Sequence, residues 1–216
     1  MEFNRAIDFI RRDPEWMKKL LFAGLHMIVP IAGLLAVLGW QRRIFDGARV
    51  GQDELPQPDF MEDLKYGIDP LIAMLNVAIV MIPLMMVLFG VPFAIMMVGG
   101  AIGGDAAQVV GAIGGILNIL AMFVWFLVVL AINVMMPELI RRGLRGERFP
   151  LFSPGVSIAA IRSNVMPYVM LIVGSMVANF VGGIGIWVCC VGVFITQPAA
   201  MGAVGNLLGQ WDQKVG

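Results

Sequence analysis

The sequence predicts an all-α integral membrane protein. Its fold would be a helical bundle with four long transmembrane helices in two hairpins, an N-terminal kinked or re-entrant helical unit, and short interfacial helices. Three observations point there. Apolar residues make up 59% of the 216 residues and charged residues only 14%, against roughly 45–50% and about 25% in globular chains. Between Pro70 and Pro137 the only charged side chain is Asp105, and between Ser163 and Trp211 there is none. A helix crosses a ~30 Å hydrocarbon core with about 20 residues at 1.5 Å each, so each of these stretches holds two crossings.

The elements follow in order. Residues 1–19 place Phe3, Ile7 and Ile10 at helical spacing, with Arg5, Asp8, Arg11 and Arg12 off that stripe, as in a helix lying on a membrane surface. Asp13-Pro14-Glu15 starts the next helix, with Asp as N-cap and Pro at the first helical position. Residues 20–40 form an apolar run long enough for one crossing, interrupted by Pro30 and Gly33. Proline breaks the helical hydrogen-bond ladder, and glycine allows a tight turn. Residues 41–69 are a linker with a short surface helix at Phe60, Leu64 and Ile68. Residues 70–137 are a hairpin turning in the glycine-rich stretch Gly99–Gly115. Residues 138–162 are a second, basic linker with a short apolar-striped segment. Residues 163–210 are a second hairpin turning at Gly182–Gly185, and residues 211–216 are a tail. The two linkers share a scheme of basic corner, surface helix and span, read as a weak internal duplication.

Charge sets the topology. Five of the fifteen basic residues lie in the N-terminal segment, four in the first linker, five in the second and one in the tail. A single crossing by residues 20–40 with the N-terminus inside leaves ten basic residues outside, against the positive-inside rule. A single crossing with the N-terminus outside reverses the count and obeys the rule. A run that turns back at Pro30 puts all fifteen on one side. This last reading is the expectation, with both termini and both linkers cytoplasmic in a cell inner (plasma) membrane.

Several residues are candidates for function. Gly99/Gly103, Gly111/Gly115 and Gly205/Gly209 are G-x-x-x-G pairs, and Gly174, Ala178 and Gly182 form a small-residue stripe. This spacing lets helix backbones approach closely, within the chain or with a partner. His26 is an ionisable group at membrane depth. With Pro30, Asp105 and Asn133 it could line a cavity, although a hydrogen-bonded structural histidine and a helix-capping aspartate are the simpler readings of His26 and Asp105. Asn76, Asn118, Asn164 and Asn179 suit interhelical hydrogen bonds. Arg42, Arg43, Arg141, Arg142, Arg145 and Arg148 could meet anionic lipid headgroups. The adjacent Cys189 and Cys190 cannot build a disulfide framework or a four-ligand metal site and read as packed small residues. There is no P-loop, G-x-S-x-G, H-E-x-x-H or dinucleotide fingerprint. Zero net charge gives no overall pull toward nucleic acid.

Asp13-Pro14-Glu15-Trp16-x-Lys18-Lys19, Pro30, Gly33, Gly39, Leu55-Pro56, Phe60, Gly67 and Arg162-Ser-Asn164-x-x-Pro-Tyr168 together resemble domain of unknown function 4013. This is a family of bacterial and archaeal membrane proteins, and the resemblance covers nearly the whole chain. Members often carry Trp soon after Leu-Pro, where this chain has Phe60. The resemblance implies a multi-pass inner-membrane protein and supplies no activity, cofactor or site residue. The function expected is that of a non-enzymatic structural or accessory subunit without a cofactor. It would sit in the lipid bilayer and assemble through Gly-rich helix faces as a homo-oligomer or with another membrane protein. A small-solute or ion transporter or channel with a cavity near His26 is the alternative.

Overall fold

Lipid cannot satisfy backbone N–H and C=O groups, so long charge-free segments must close their hydrogen bonds internally. The computed structural model describes residues 2–52, 54–188 and 192–215, and only the backbone at residues 3 and 186–188. Helices, one 3-10 turn and connecting turns account for it, with no strand among the described residues. In order they are α1 (Phe3–Arg12), α2 (Trp16–His26), α3 (Ala32–Arg49), α4 (Phe60–Tyr66), α5 (Ile68–Ile102), α6 (Gly104–Leu144), a 3-10 turn at Pro150–Phe152, α7 (Pro154–Ser163), α8 (Val165–Val188) and α9 (Val193–Val215). Three helical stretches are long and apolar enough to cross a membrane: Ile68–Ile102, Gly104–Leu144 and Val165–Gly185.

The chain divides into two compact units, residues 1–74 with 137–216, and residues 75–136. The second is an antiparallel pair made by the C-terminal part of α5 and the N-terminal part of α6. Phe89 meets Trp125 edge-on with ring centroids 6.0 Å apart, Gly114 faces Met96, and Gly99 faces Val110. The turn uses Gly103 and Gly104, at φ +71° and +66°, a backbone region that costs glycine little. Asp105 follows inside the first turn of α6. There a carboxylate complements the helix dipole without being the N-cap expected.

The first unit is built around α9. Its residues Val204–Asp212 are buried without a break, and α1, α2, α3 and α8 all pack against it. Two apolar clusters fill the space. One gathers Ala6, Phe45, Leu144, Tyr168, Leu171, Leu207, Leu208 and Trp211. The other gathers Phe9, Ile10, Leu20, Ala23, Trp40, Ile44 and Leu55. Close crossings need the absence of a side chain. A Cβ on Gly205 would lie 3.0 Å from the Gln41 carbonyl oxygen, and one on Gly209 would lie 2.6 Å from the Ala48 Cβ. Those two glycines therefore form the α3–α9 crossing.

The apolar run 20–40 is not one helix. Helix α2 ends at His26, residues 27–31 turn, and α3 starts at Ala32 and packs back on α2. The Ala32 N–H donates to the Pro30 carbonyl at 2.7 Å with Ile31 at φ 64°, ψ −61°. This is a γ-turn of the rare positive-φ kind. Helix α2 begins at Trp16, two residues after the expected start. Asp13 still serves the entry, its Oδ1 accepting the Glu15 N–H at 2.8 Å.

Two expectations change. Helix α8 runs straight through Gly182–Gly185, because these glycines are where α9 comes closest: a Cβ on Gly182 would meet Gln197 and Ala200, and one on Gly185 would meet Thr196. Among the described residues the fourth long helix, α9, is not one of the three stretches long and apolar enough to cross a membrane. It carries Gln197, Asn206, Gln210 and Asp212 and serves as the centre of a unit. Cys189 and Cys190 lie outside the described residues.

Candidate functional site

The residues scattered through the first 67 positions meet at one polar junction. Lys19 Nζ lies 2.6 Å from Asp13 Oδ2 and donates to the Leu55 carbonyl at 2.7 Å. Trp40 Nε1 donates to the Pro56 carbonyl at 3.0 Å, and Gln57 reaches Glu15 at 3.3 Å. The Lys19 and Asp13 side chains are only 13% and 12% exposed. The Leu-Pro segment of the first linker is thereby pinned onto the α2–α3 pair. Gly39 and Gly67 bring α3 and α4 together, since a Cβ on either would collide with the backbone at Asp63 or Leu35 respectively.

Asp63 is fully buried at this crossing. It accepts from Arg43 at 3.0 Å and from the Asp59 N–H at 2.9 Å. Desolvation pushes its carboxyl above the ordinary carboxylate range despite the Arg43 guanidinium. Asp59 caps α4, its Oδ1 accepting the Met61 and Glu62 N–H groups at 3.0 Å, and those backbone bonds hold its carboxyl low. Beside the junction is a cavity of about 550 Å³ lined by Lys19, Arg43, Asp46, Glu54 and Tyr66, among others. Desolvation raises the carboxyl of half-buried Asp46.

A second polar centre joins the ends of α3, α6 and α9. Arg141 forms a bidentate pair with Glu138, at 2.6 and 2.9 Å, and also donates to Asp212. Asp212, 1% exposed, also pairs with Arg145 at 2.6 Å and Arg49 at 3.0 Å. Trp211 Nε1 donates to Glu138 at 2.8 Å. The N-terminus reaches the same end of the unit, where the Glu2 N–H donates to Gln210 Oε1 at 2.9 Å. Arg142 binds Glu147, the Pro150 carbonyl, and Ser153 and Ser157.

These contacts locate the arginines singled out from sequence. Arg42 and Arg148 share Asp69, each at 3.0 Å. Arg43 takes Asp63, Arg141 and Arg145 take Asp212, and Arg142 takes Glu147. All six are paired inside the chain, and the side chains of Arg141 and Arg142 are buried. The sequence reading missed their partners. For Glu138 the signal was present, because Glu138 and Arg141 stand one turn apart at the foot of a span. Asp212 and Asp63 had no such local signal.

The remaining candidates disperse. His26 stacks edge-on with Phe60 at 5.2 Å, and its Nδ1 is buried without a hydrogen-bond partner. His26 and Pro30 belong to the first unit and Asp105 and Asn133 to the second. None of the four lines any of the three cavities described here. Asn133 and Asn179 donate to carbonyls of their own helices, Val129 and Ser175, each at 2.8 Å. An exposed polar side chain on an apolar helix finds its nearest acceptor one turn back. Among the glycines, Gly99, Gly182, Gly205 and Gly209 sit at crossings inside the chain. At Gly103, Gly111 and Gly115 a Cβ would meet nothing within 4 Å. Gly174 and Ala178 line an apolar groove of about 610 Å³ between α1, α8 and α9. Among the described residues no group of three or more His, Cys, Asp or Glu side chains could hold a metal ion.

Asp13, Lys19, Gly39, Leu55-Pro56 and Gly67, dispersed in the sequence, are thus contact points of the junction. The family model of DUF4013, a protein of unknown function, matches residues 22–191. The chain belongs to that family. No curated protein and no solved structure matches. Gly39, Leu55-Pro56 and Gly67 lie inside the stretch matching DUF4013. Asp13 and Lys19, which hold the same junction, precede it.

Proposed function

We propose that this DUF4013 protein is a non-enzymatic structural or accessory subunit of the inner membrane, which assembles with its own copy or another membrane protein through glycine faces of the α5–α6 hairpin. One observation carries the reading. Helix α6 uses Gly114 against Met96 of its own hairpin, whereas Cβ atoms on Gly111 and Gly115, one turn apart, would point into open space. Side chains toward the same side of the helix, including Ile119 and Met122, are exposed. Small residues on an uncovered apolar face allow close approach of another helix. The buried polar centres serve architecture in this reading. Arg141, Glu138 and Asp212 complete one another.

The reading places both termini and both linkers in the cytoplasm and the α2–α3 pair as a re-entrant hairpin. Helix α2 has 11 residues, about 16 Å, half the hydrocarbon thickness. Solute or ion transport near His26 has no geometric observation behind it among the described residues.

The test is the mass of the protein purified in mild detergent and in nanodiscs, compared with a Gly111→Leu/Gly115→Leu variant. The wild type should run as an oligomer or with a stoichiometric membrane partner. The variant should run as a single chain with unchanged thermal stability, since its new side chains displace nothing. A wild type that is one chain in both media, or a variant that assembles identically, defeats the proposal.

A further inference from the structure

An apolar groove lies between α1, α8 and α9. Ile7 and Ile10 of α1, Val173, Val177 and Val181 of α8, and Ala199, Ala203 and Leu207 of α9 line it, with Gly174, Ala178 and Ala200 among its small residues. No lining residue is charged. From Val173 to Val181 the helix rises about 12 Å. Ile7, Val173, Val177 and Val181 are also exposed at its edges, so the groove is open along the apolar flank of a membrane-length helix.

Charge says which occupant suits it. Each of the six linker and corner arginines discussed above has a carboxylate partner within the chain. Arg11 is exposed and makes no ion pair among the described residues. It stands four residues after Ile7, and side chains at that spacing share one edge of a helix. An apolar slot with an exposed guanidinium one helical turn beyond its edge residue Ile7 is complementary to an amphiphile whose tail is hydrocarbon and whose head is anionic. A peptide helix would need the slot but not the cation.

We propose that this groove holds an acyl chain of an anionic phospholipid, with Arg11 contacting the headgroup phosphate. Helix α1 thereby acts as one wall of a lipid site in addition to covering α9. The proposal is independent of assembly through the α5–α6 hairpin, because every residue it uses lies in the first unit.

The experiment reconstitutes the full chain in vesicles containing phosphatidylglycerol or phosphatidylcholine with a photoreactive acyl chain, and maps the adducts by peptide mass spectrometry. Adducts on Val177, Ala199 or Ala203 should form several-fold more with phosphatidylglycerol. Arg11→Gln, at an exposed position, should bring that ratio toward one. Ala203→Phe should remove groove adducts and leave those on exposed Met176 and Phe180. Adducts spread evenly around α8 without headgroup preference would overturn the proposal. So would an Arg11→Gln ratio equal to wild type, or adducts on Met176 and Phe180 with none on the groove residues.

Discussion

Arg43 and Asp63 show how one contact can decide the integrity of a membrane-edge fold. Asp63 has a 0% exposed side chain and Arg43 is 23% exposed. Removing one partner of such a pair leaves a buried charge uncompensated and costs about 3–5 kcal/mol. Arg43→Met should therefore lower stability by about 3 kcal/mol, and adding Asp63→Asn should recover most of it, both read by thermal unfolding in detergent. Equal stabilities for the single and double variants would show that the pair is not coupled. The pH dependence has a definite sign. Asp63 titrates above its ordinary 3.8 in the fold, so the folded state holds the proton more tightly. Its contribution to stability falls as pH rises from about 4 through the folded value. Glu147 is held low chiefly by its hydrogen bond from Arg142. Its contribution is present above its ordinary 4.5 and is lost as pH falls through the folded value. The sequence marked Arg43 as a surface cation. Its partner is 20 residues away in the chain, and only the α3–α4 crossing brings the two together.

At the scale of elements, the α2–α3 turn carries the clearest local cost. Ile31 is β-branched, 76% exposed and held at positive φ, a region β-branched residues rarely occupy. Such strain costs on the order of 1–3 kcal/mol. Ile31→Gly should raise stability by about 1 kcal/mol in detergent, measured by thermal or denaturant unfolding. A loss of stability would mean that the side chain is worth more to the turn than its backbone strain. Pro30 and Gly33 made the bend legible in sequence, because proline interrupts the ladder and glycine admits the close return. A Cβ on Gly33 would collide with the His26 carbonyl. The course of α8 through Gly182–Gly185 was not legible. Glycine lowers helix propensity in water, but here it serves a crossing with α9 that no local pattern announces.

At the scale of the whole molecule, the ends of α3, α6 and α9 and the chain start converge at one end of the first unit. Arg49, Arg141 and Arg145 share Asp212, and Glu2 meets Gln210. Helix α6 has 41 residues, about 60 Å, twice the hydrocarbon thickness, so Asp105 should emerge on the opposite side. With Cys189 and Cys190 replaced by alanine, Val50→Cys and Lys214→Cys should react with an impermeant thiol reagent only after the cells are permeabilised. Asp105→Cys should react in intact cells. Labelling of position 50 or 214 from outside would reverse the topology and with it the cytoplasmic placement of the linkers.

The sequence by itself determined the helical class, the two longest apolar segments with their glycine turn, the break near Pro30 and the clustering of basic residues. All of these follow from local hydropathy, proline and glycine, which act over a few residues at a time. Only the tertiary structure decided that α9 is a buried centre and that the six linker arginines pair with Asp63, Asp69, Glu147 and Asp212. It also decided which glycines face inward and which are left open. A carboxylate can neutralise a guanidinium, and a missing Cβ can admit a backbone, only where folding has brought distant residues within a few ångströms.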